Sequence, residues 1–191
     1  MLKSELRKEY MQKRKTLSSD EVFLLSEAIF KNFVNFFKPF PGQKVHIFLP
    51  IAKFNEINTQ IFVEYFLNNG IRVFVPKVVD QKLISIEICK DSLFETSSWG
   101  ISEPVSNQDS GIKEFDLVIT PVLYCDGLGN RVGYGKGFYD SFFQELYGKP
   151  KKIGVNYFNP DEIIDDIWEN DIPLDYLVTP TEVLSFFTGE E

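Results

Sequence analysis

The sequence predicts an α/β fold of three layers, in which a mostly parallel sheet carries helices on both faces. Its predicted strands are near-continuous apolar runs, such as 44–49 and 115–122, which is typical of strands buried on both faces. Segments with apolar residues at helical spacing alternate with these runs, as strand–helix–strand units require. A glycine-rich segment at 126–140 joins a predicted strand to a predicted helix, where such sheets bind ligands.

The first half of the chain is predicted to begin with two helices. Residues 2–16 form the first, and Ser18 and Glu21 have capping-box spacing before the second. An apolar stripe marks the buried face of the second helix: Val22, Leu25, Ile29, Phe33 and Phe36. This half is completed by a strand at 44–49, a helix at 59–69 with Gly70 at its C′ position, and a strand at 71–75 ended by Pro76.

The second half is predicted to alternate strands with one helix. The helix covers 138–147, where Phe138, Phe142 and Leu146 recur at helical spacing. The strands lie at 83–89, 115–122, 152–155, 176–179 and 183–187. The loop 50–56, the segment after residue 75 and the glycine-rich segment follow parallel strands, so we expect all three at one edge of the sheet.

Composition and charge limit the function classes. The 191 residues, 43% hydrophobic and 25% charged, suit one globular domain spanning 1–191. No apolar run is long enough to span a membrane, residues 1–9 lack the apolar stretch of a signal peptide, and two cysteines make no disulfide framework. These features predict a cytoplasmic protein. A net charge of −8 disfavours nucleic acid and anionic membranes, so we expect partners that are small molecules. We also expect a monomer.

The glycine-rich segment reads Asp-Gly-Leu-Gly-Asn-Arg-Val-Gly-Tyr-Gly-Lys-Gly-Phe-Tyr-Asp. Its glycines allow positive φ and close approach of a ligand, while the free amides of a helix start, with Arg131 and Lys136, favour an anion. These features predict a phosphate-binding loop. Lys136 is followed by Gly137, which excludes a Walker loop, and the glycine spacing excludes a dinucleotide fingerprint. A flexible surface loop is the alternative.

Histidine and cysteine chemistry has little support in the sequence. His46 is the single histidine and lies inside a predicted apolar strand, which leaves no histidine-based metal cluster and no Ser/His/Asp triad. Cys125 precedes the phosphate-binding loop, but nothing near it in the sequence offers a base. We therefore expect Cys125 to be a small core residue.

The whole pattern Asp-x-x-Gly-x-Arg-x-Gly-Tyr-Gly-x-Gly-x-Tyr-Asp resembles the signature of the 5-formyltetrahydrofolate cyclo-ligases, also called 5,10-methenyltetrahydrofolate synthetases. Shorter segments resemble other parts of this family: 3–7, 50–59, 99–104 and 171–175. The resemblance implies conversion of 5-formyltetrahydrofolate and ATP to 5,10-methenyltetrahydrofolate, ADP and phosphate, with Mg²⁺. It also implies a Rossmann-like sheet similar to that of sugar-phosphate isomerases and CoA-transferases.

For ATP, the resemblance implies ligands from the first helix and from the glycine-rich segment. They are Lys3, Ser4, Glu5, Leu6, Arg7, Arg131, Val132, Gly133, Tyr134, Gly135, Lys136, Gly137, Phe138 and Tyr139, of which Lys3, Arg131 and Lys136 are the implied catalytic residues. On a helix, Lys3, Arg7 and Arg14 project from one face. A solvated basic stripe is the alternative for these helix residues.

For folate, the resemblance implies contacts from Ile51, Glu56 and Trp99. A carboxylate suits the N–H donors of a pterin, and an indole ring can stack on the pterin or the aminobenzoyl ring. The alternatives are an exposed loop acid for Glu56 and a core position for Trp99.

For Mg²⁺, the resemblance implies Asp140 and Asp175. Asp140 also falls in the first turn of a predicted helix, where an acid is favourable with no metal.

The chain departs from the commoner signature at Lys136, Phe138 and Ser141, where glycine, tyrosine and arginine are often found. Without that arginine, a different residue is expected to hold the glutamate tail of the substrate.

Two rival functions stay open at this point. One is a non-catalytic protein that binds folate or a nucleotide on the same scaffold. The other is a sugar-phosphate isomerase, which rests on the analogy of architecture alone. Loop cations together with paired acids are what phosphoryl transfer needs, and they favour the enzyme.

Overall fold

The computed structural model describes residues 1–97 and 100–187. Within them lie the helices α1 Lys3–Lys15, α2 Ser19–Phe37, α3 Gln60–Asn68 and α4 Phe138–Glu145. The strands are β1 Lys44–Ile47, β2 Arg72–Val79, β3 Lys82–Ile88, β4 Phe94–Thr96, β5 Ser102–Pro104, β6 Leu117–Pro121, β7 Tyr124–Cys125, β8 Arg131–Val132, β9 Lys151–Val155, β10 Tyr176–Val178 and β11 Val183–Ser185.

Seven strands form the central sheet, in the order β11-β10-β9-β6-β1-β2-β3. The five inner strands are parallel, and the edge strands β3 and β11 are antiparallel to their neighbours. From β1 the chain crosses through α3 to β2 on one side and later returns to β6 on the other side. The loops that leave β1 and β6 therefore diverge at a switch point, where sheets of this kind bind ligands.

Both faces of the sheet are covered, as the near-continuous apolar strands predicted. Val45 and Ile47 belong to one apolar cluster with Phe33 of α2 and Phe62 of α3. On the opposite face, Phe74, Val118 and Phe142 of α4 belong to another cluster, because alternate strand residues point to opposite sides. The predicted three-layer α/β architecture is confirmed.

The predicted start of α2 and the predicted end of α3 are also confirmed, whereas α4 ends at Glu145 rather than at residue 147. The Ser18 hydroxyl accepts from the amide of Glu21 at 3.2 Å, and the Glu21 carboxylate accepts from the amide of Ser18 at 2.8 Å. Gly70 follows α3 with a φ of +69°, a conformation that favours glycine. The placement of Phe36 on the buried face of α2 is wrong: it lies near the end of the helix, 50% exposed, with its ring against Phe37 and Tyr176.

The prediction that Pro76 ends its strand is wrong, because β2 continues to Val79. Pairing with β1 ends at Phe74, and beyond it β2 pairs with β3. Pro76 therefore needs a strand partner on one side only, which a residue without an N–H tolerates.

Helix α1 packs on loops rather than on the central sheet. Leu6 and Tyr10 form an apolar cluster with Tyr124 and Val132 of the β7–β8 hairpin and with Ile164. The same helix thus reaches the glycine-rich segment. In 1–97 and 100–187, no helix combines the length and the apolar character that crossing a bilayer requires.

Candidate functional site

After β6 the chain forms the β7–β8 hairpin, and the glycine-rich segment runs from the end of β7 through β8 into α4. Gly135 and Gly137 have φ values of +85° and +68°, which L side chains rarely adopt. Gly137 immediately precedes the first turn of α4, whose amides lack partners within the helix. The positive φ values and the helix start agree with the sequence analysis, and phosphate binding by this loop stays a prediction.

A buried acid, Asp126, shapes the start of this loop. Its Oδ1 accepts from the amides of Leu128 and Asn130 at 2.9 Å each, and its Oδ2 accepts from Asn130 Nδ2 at 3.0 Å. Sequence reasoning assigned no role to Asp126. The Asp-x-x-Gly spacing, with an acid that bonds its own turn, is the signal that points to it.

Helix α1 meets the phosphate-binding loop through Arg7. Its Nε donates to the carbonyl of Gly133 at 2.8 Å, and its guanidinium lies against Gly135. Leu6 is buried in the α1 cluster, whereas Ser4 and Glu5 are exposed. Glu5 accepts from the amide of Leu2 at 3.0 Å and so caps its own helix.

Arg131 is held by the first turn of α4 and by the segment that precedes β10. Its Nη2 lies 2.6 Å from Asp140 Oδ1, and its Nη1 donates to the carbonyl of Ile172. The same Asp140 oxygen accepts from the amide of Ile172 at 3.1 Å. The loop cation and the helix acid that the sequence singled out are therefore brought together.

Lys3 forms an ion pair with Asp171, the residue before Ile172. Asp171 is an acid near the loop that sequence reasoning missed as a separate candidate, although it opens the 171–175 segment. Lys136 is exposed, and no hydrogen bond or ion pair joins it to another residue of the described part of the chain.

Asp175 lies at the amino ends of β9 and β10, apart from these pairs. Its Oδ2 accepts from the amide of Lys152 at 2.7 Å, and its Oδ1 lies 3.0 Å from Lys152 Nζ. The two predicted metal residues share no partner in the described residues. Those residues also contain no group of three or more His, Cys, Asp or Glu side chains placed to hold a metal.

Asp140 suits a metal that phosphates also ligate. Its Oδ1 is engaged, while its Oδ2 makes no hydrogen bond to any residue in the described ranges. Mg²⁺ is commonly held by one or two carboxylates together with substrate phosphates and waters. The donor set therefore fits such an ion beside a bound nucleotide.

The loop after β1 holds Glu56 in the interior. A 3-10 turn, Ala52–Phe54, precedes Asn55, whose Nδ2 donates to the carbonyls of Arg14 and Leu17 and so fastens the loop to the end of α1. Glu56 is only 4% exposed, and its Oε2 accepts from the amide of Ile51 at 2.7 Å. The alternative of an exposed loop acid is excluded.

The phosphate-binding loop and the loop after β1 meet at Tyr134. Its hydroxyl donates to Glu56 Oε1 at 2.5 Å, and its ring lies 5.6 Å from that of Phe54. Burial raises the pKa of the Glu56 carboxyl, and the bonds from Tyr134 and Ile51 and the charge of Arg14 oppose that rise. The site therefore contains a buried acid poised between two loops.

Trp99 lies outside the described residues. The segment that follows it includes β5, and the carbonyl of Pro104 accepts from Lys77 Nζ at 2.6 Å.

Comparison with known proteins identifies the family. The model of the 5-formyltetrahydrofolate cyclo-ligase family matches residues 1–180. The chain belongs to this family. A 5-formyltetrahydrofolate cyclo-ligase of Mycoplasma pneumoniae is 31% identical over 182 residues, which cover 93% of this chain and 98% of the relative. A probable 5-formyltetrahydrofolate cyclo-ligase of Caenorhabditis elegans is 29% identical, with 98% and 97% covered.

Solved structures of cyclo-ligases share the fold. The 5,10-methenyltetrahydrofolate synthetase of Aquifex aeolicus superposes with a TM-score of 0.82 at 31% identity, covering 100% of this chain and 96% of that one. A 5,10-methenyltetrahydrofolate synthetase of Mycoplasma pneumoniae gives a TM-score of 0.71 at 28% identity, with 94% and 99% covered.

Neither His46 nor Cys125 is placed to act as a catalytic base or nucleophile. His46 is fully buried against Phe142, and burial lowers its pKa to about 3. Burial likewise raises the pKa of the Cys125 thiol, which keeps it protonated. The predictions of a core histidine and a core cysteine are confirmed.

Proposed function

We propose that this chain converts 5-formyltetrahydrofolate and ATP to 5,10-methenyltetrahydrofolate, ADP and phosphate. Membership of the cyclo-ligase family supports the proposal. The observation that carries it is the hydrogen bond from Tyr134 to Glu56, because it joins a loop suited to phosphate with a loop suited to a pterin. Two reactants held in adjoining loops react as if the step were unimolecular.

ATP lies along the phosphate-binding loop in this proposal. Arg7 and Arg131 already touch that loop or its helix, and Lys136 is exposed beside them. Lys3 leaves Asp171 to meet the triphosphate, and loop amides bind the phosphate oxygens. Each cation offsets negative charge that moves to the leaving ADP, which is the main task in phosphoryl transfer.

The metal assignment centres on Asp140. Its oxygen Oδ2 has no hydrogen-bond partner among the described residues, so it would be available to hold Mg²⁺, and the ion would neutralise phosphate charge. For a second carboxylate, Asp175 is the sequence-based candidate and Asp171 the structural one. Asp171 is favoured by its position next to Ile172, whose amide binds Asp140.

In this proposal the pterin lies against Glu56 and Ile51, and Trp99 stacks on the pterin or on the aminobenzoyl ring of the folate. Glu56 accepts hydrogen bonds from the amino and ring N–H groups of a pterin through its ionised carboxylate. The same carboxylate is held by Tyr134 and by the amide of Ile51, so its orientation is fixed before substrate arrives.

The chemistry needs no nucleophile from the protein. The formyl oxygen on N5 attacks the γ-phosphorus, and the bond from phosphorus to the ADP oxygen breaks. N10 then attacks the formyl carbon and passes its proton to the departing phosphate group. The carbon–oxygen bond breaks, phosphate departs, and the five-membered amidinium ring remains. The chain contributes positioning and charge neutralisation.

One assay separates the enzyme from a non-catalytic folate or nucleotide binder. The protein is incubated with 5-formyltetrahydrofolate, with ATP and Mg²⁺ present together or each withheld, and the methenyl chromophore is followed. The enzyme forms the chromophore only when both are present. Binding of folate or ATP by calorimetry, without chromophore, would favour the non-catalytic protein.

We also propose that the protein acts in the cytoplasm as a monomer. Cys89 and Cys125 are both free thiols, which suits a reducing compartment. The proposed reaction assigns no task to a residue of a second subunit. Light scattering coupled to size-exclusion chromatography tests the oligomeric state.

A further inference from the structure

Arg14 is a buried cation at the centre of the site to which the proposed reaction assigns no task. Only 1% of its surface is exposed. Its Nη2 donates to the carbonyl of Val122 at the end of β6, and its Nη1 to the Tyr134 hydroxyl at 3.5 Å. Its guanidinium lies over the ring of Tyr157, 5.8 Å from the centroid. Its Nε is buried without a hydrogen-bond partner in the described part of the chain.

A buried guanidinium is costly unless an opposite charge compensates it. Glu56 is also buried, and the Tyr134 hydroxyl stands between the two charges. The other titratable groups that act on this carboxylate are Tyr139 from α4 and Tyr157 after β9, and both are neutral phenols at neutral pH. Arg14 is thus the cation that faces Glu56 among the residues described.

We propose that Arg14 is a positioning residue that acts through Tyr134, keeping Glu56 ionised and aimed at the folate. The inference rests on the proposed function, because it takes Glu56 as the pterin ligand. Arg14 touches neither substrate in this scheme. Its effect therefore falls on folate affinity and on the pH dependence of that affinity, and the nucleotide site is affected much less.

The test measures the dissociation constant of 5-formyltetrahydrofolate without nucleotide, between about pH 5 and pH 9, on the full chain. If loss of the Arg14 charge raises the pKa of Glu56 by one unit, folate affinity at pH values below that pKa falls about tenfold. Arg14→Met is expected to weaken folate binding about tenfold and to move the acid limb of the profile to higher pH. Arg14→Lys keeps the charge, so its acid limb stays near that of the wild type. Tyr134→Phe removes the connecting hydroxyl, so its limb also moves up.

Two further variants control the result. Arg72→Met removes an arginine of β2 that is paired with Glu87 of β3, away from the site, and leaves folate affinity and its pH profile unchanged. In a Glu56→Gln background, Arg14→Met no longer moves the profile, because the carboxylate on which it acts is gone.

A folded Arg14→Met variant with a wild-type folate profile overturns the inference and leaves Arg14 a structural residue. Should that variant fail to fold, Arg14→Lys and Tyr134→Phe decide in its place, and an unmoved limb in Tyr134→Phe is the contrary result. Folate binding is measured without turnover, so a wild type that binds folate but forms no product refutes the proposed reaction and not the role of Arg14. Wild-type folate affinity in Glu56→Gln refutes the pterin assignment itself.

Discussion

The guanidinium carbon of Arg7 lies 3.3 Å from the position that a Cβ atom on Gly135 would occupy. A helix cation is therefore pressed against the backbone of the loop at a point where φ is +85°. The loop and the cation form one surface, and a side chain at Gly135 would separate them.

Gly135→Val tests the phosphate-binding loop. Valine strains the backbone at positive φ and displaces Arg7, so ATP affinity is expected to fall by at least about tenfold, or ~1.4 kcal/mol. Folate affinity without nucleotide should change little. Calorimetric titration of both ligands measures the two effects.

Gly42→Val is the matched control for this variant, because Gly42 has a φ of +89°, open space around it and no place in the site. Both variants should lose stability to backbone strain, about 1–3 kcal/mol each. Normal ATP binding by Gly135→Val would show that the triphosphate lies elsewhere.

Asp140→Asn tests the metal site. Asparagine still accepts from the amide of Ile172 but removes the charge that would hold Mg²⁺. We expect kcat/KM for ATP to fall by about tenfold or more, with partial recovery at high Mg²⁺, while folate affinity stays unchanged. Wild-type turnover across a Mg²⁺ titration would reduce Asp140 to an acid that stabilises a helix start.

Asp171→Asn and Asp175→Asn compare the two candidates for a second metal residue. Asp175 bonds the amide and the ammonium of Lys152, so its variant should lower the melting temperature. Asp171→Asn should instead raise the Mg²⁺ requirement. The opposite pattern would assign the metal to Asp175.

Glu56→Gln is expected to stabilise the protein while abolishing tight folate binding. Because the pKa of Glu56 is raised in the folded state, the folded state holds its proton more tightly than the unfolded chain does. Wild-type stability therefore falls as pH rises through that pKa, and the glutamine variant does not share this loss. A gain of ~1 kcal/mol shifts the melting temperature by about 2–4 °C in a chain of this size.

The stabilities of Glu56→Gln and wild type are compared at pH values above and below the pH at which Glu56 titrates in the folded protein. The advantage of Glu56→Gln should be largest at alkaline pH and should shrink as pH falls. An advantage that grows on acidification would mean that the buried carboxylate is stabilised rather than destabilised by its surroundings.

His46→Leu is expected to stabilise the protein most at acid pH. Neither ring nitrogen of His46 has a hydrogen-bond partner among the described residues, and burial lowers its pKa from 6.5 to about 3. A group with a lowered folded pKa loses stability as pH falls below its unfolded pKa, because the unfolded chain takes up the proton. Wild type should therefore weaken relative to His46→Leu between these two values.

Urea denaturation of both proteins at about pH 7 and about pH 5 measures this difference. The relative gain should approach ~1.4 kcal/mol per pH unit in that window. Other acids titrate equally in both chains, so they cancel. Equal stability differences at the two pH values would indicate that His46 is protonated in the folded protein.

Local sequence patterns predicted the strands of the central sheet and the positive φ values of the glycine-rich segment well. A short continuous apolar run such as 115–122 is typical of a buried strand. Clustered glycines indicate positive φ values. The two-residue strands β7 and β8 escaped prediction because they are too short to show a period. The end of β2 was mispredicted because a strand tolerates a proline only where no neighbouring strand needs its missing N–H, and the sequence does not show which strand lies there.

Contacts between residues far apart in the sequence could not be predicted, for a different reason. Tyr134 and Glu56 are 78 residues apart, and no local pattern links a loop tyrosine to a loop acid. Arg14 was placed on the basic face of a helix, but its burial depends on distant residues such as Val122, Tyr134 and Tyr157. Only the family resemblance drew Glu56 into the site, and it did so without the hydrogen bond that holds it.

The packing of α1 on the hairpin also sets the order in which the protein can be assembled. This helix is translated early. Its apolar side chains Leu6 and Tyr10 can be buried only after their packing partners Tyr124, Val132 and Ile164 have been made. Long-range contacts of this kind form late, after the sheet has brought the loops together. If α1 detaches while the sheet persists, Arg7 and Arg14 leave both substrate loops at once. Substrate binding should therefore protect the amides of α1 from hydrogen exchange more than those of β1 or β6.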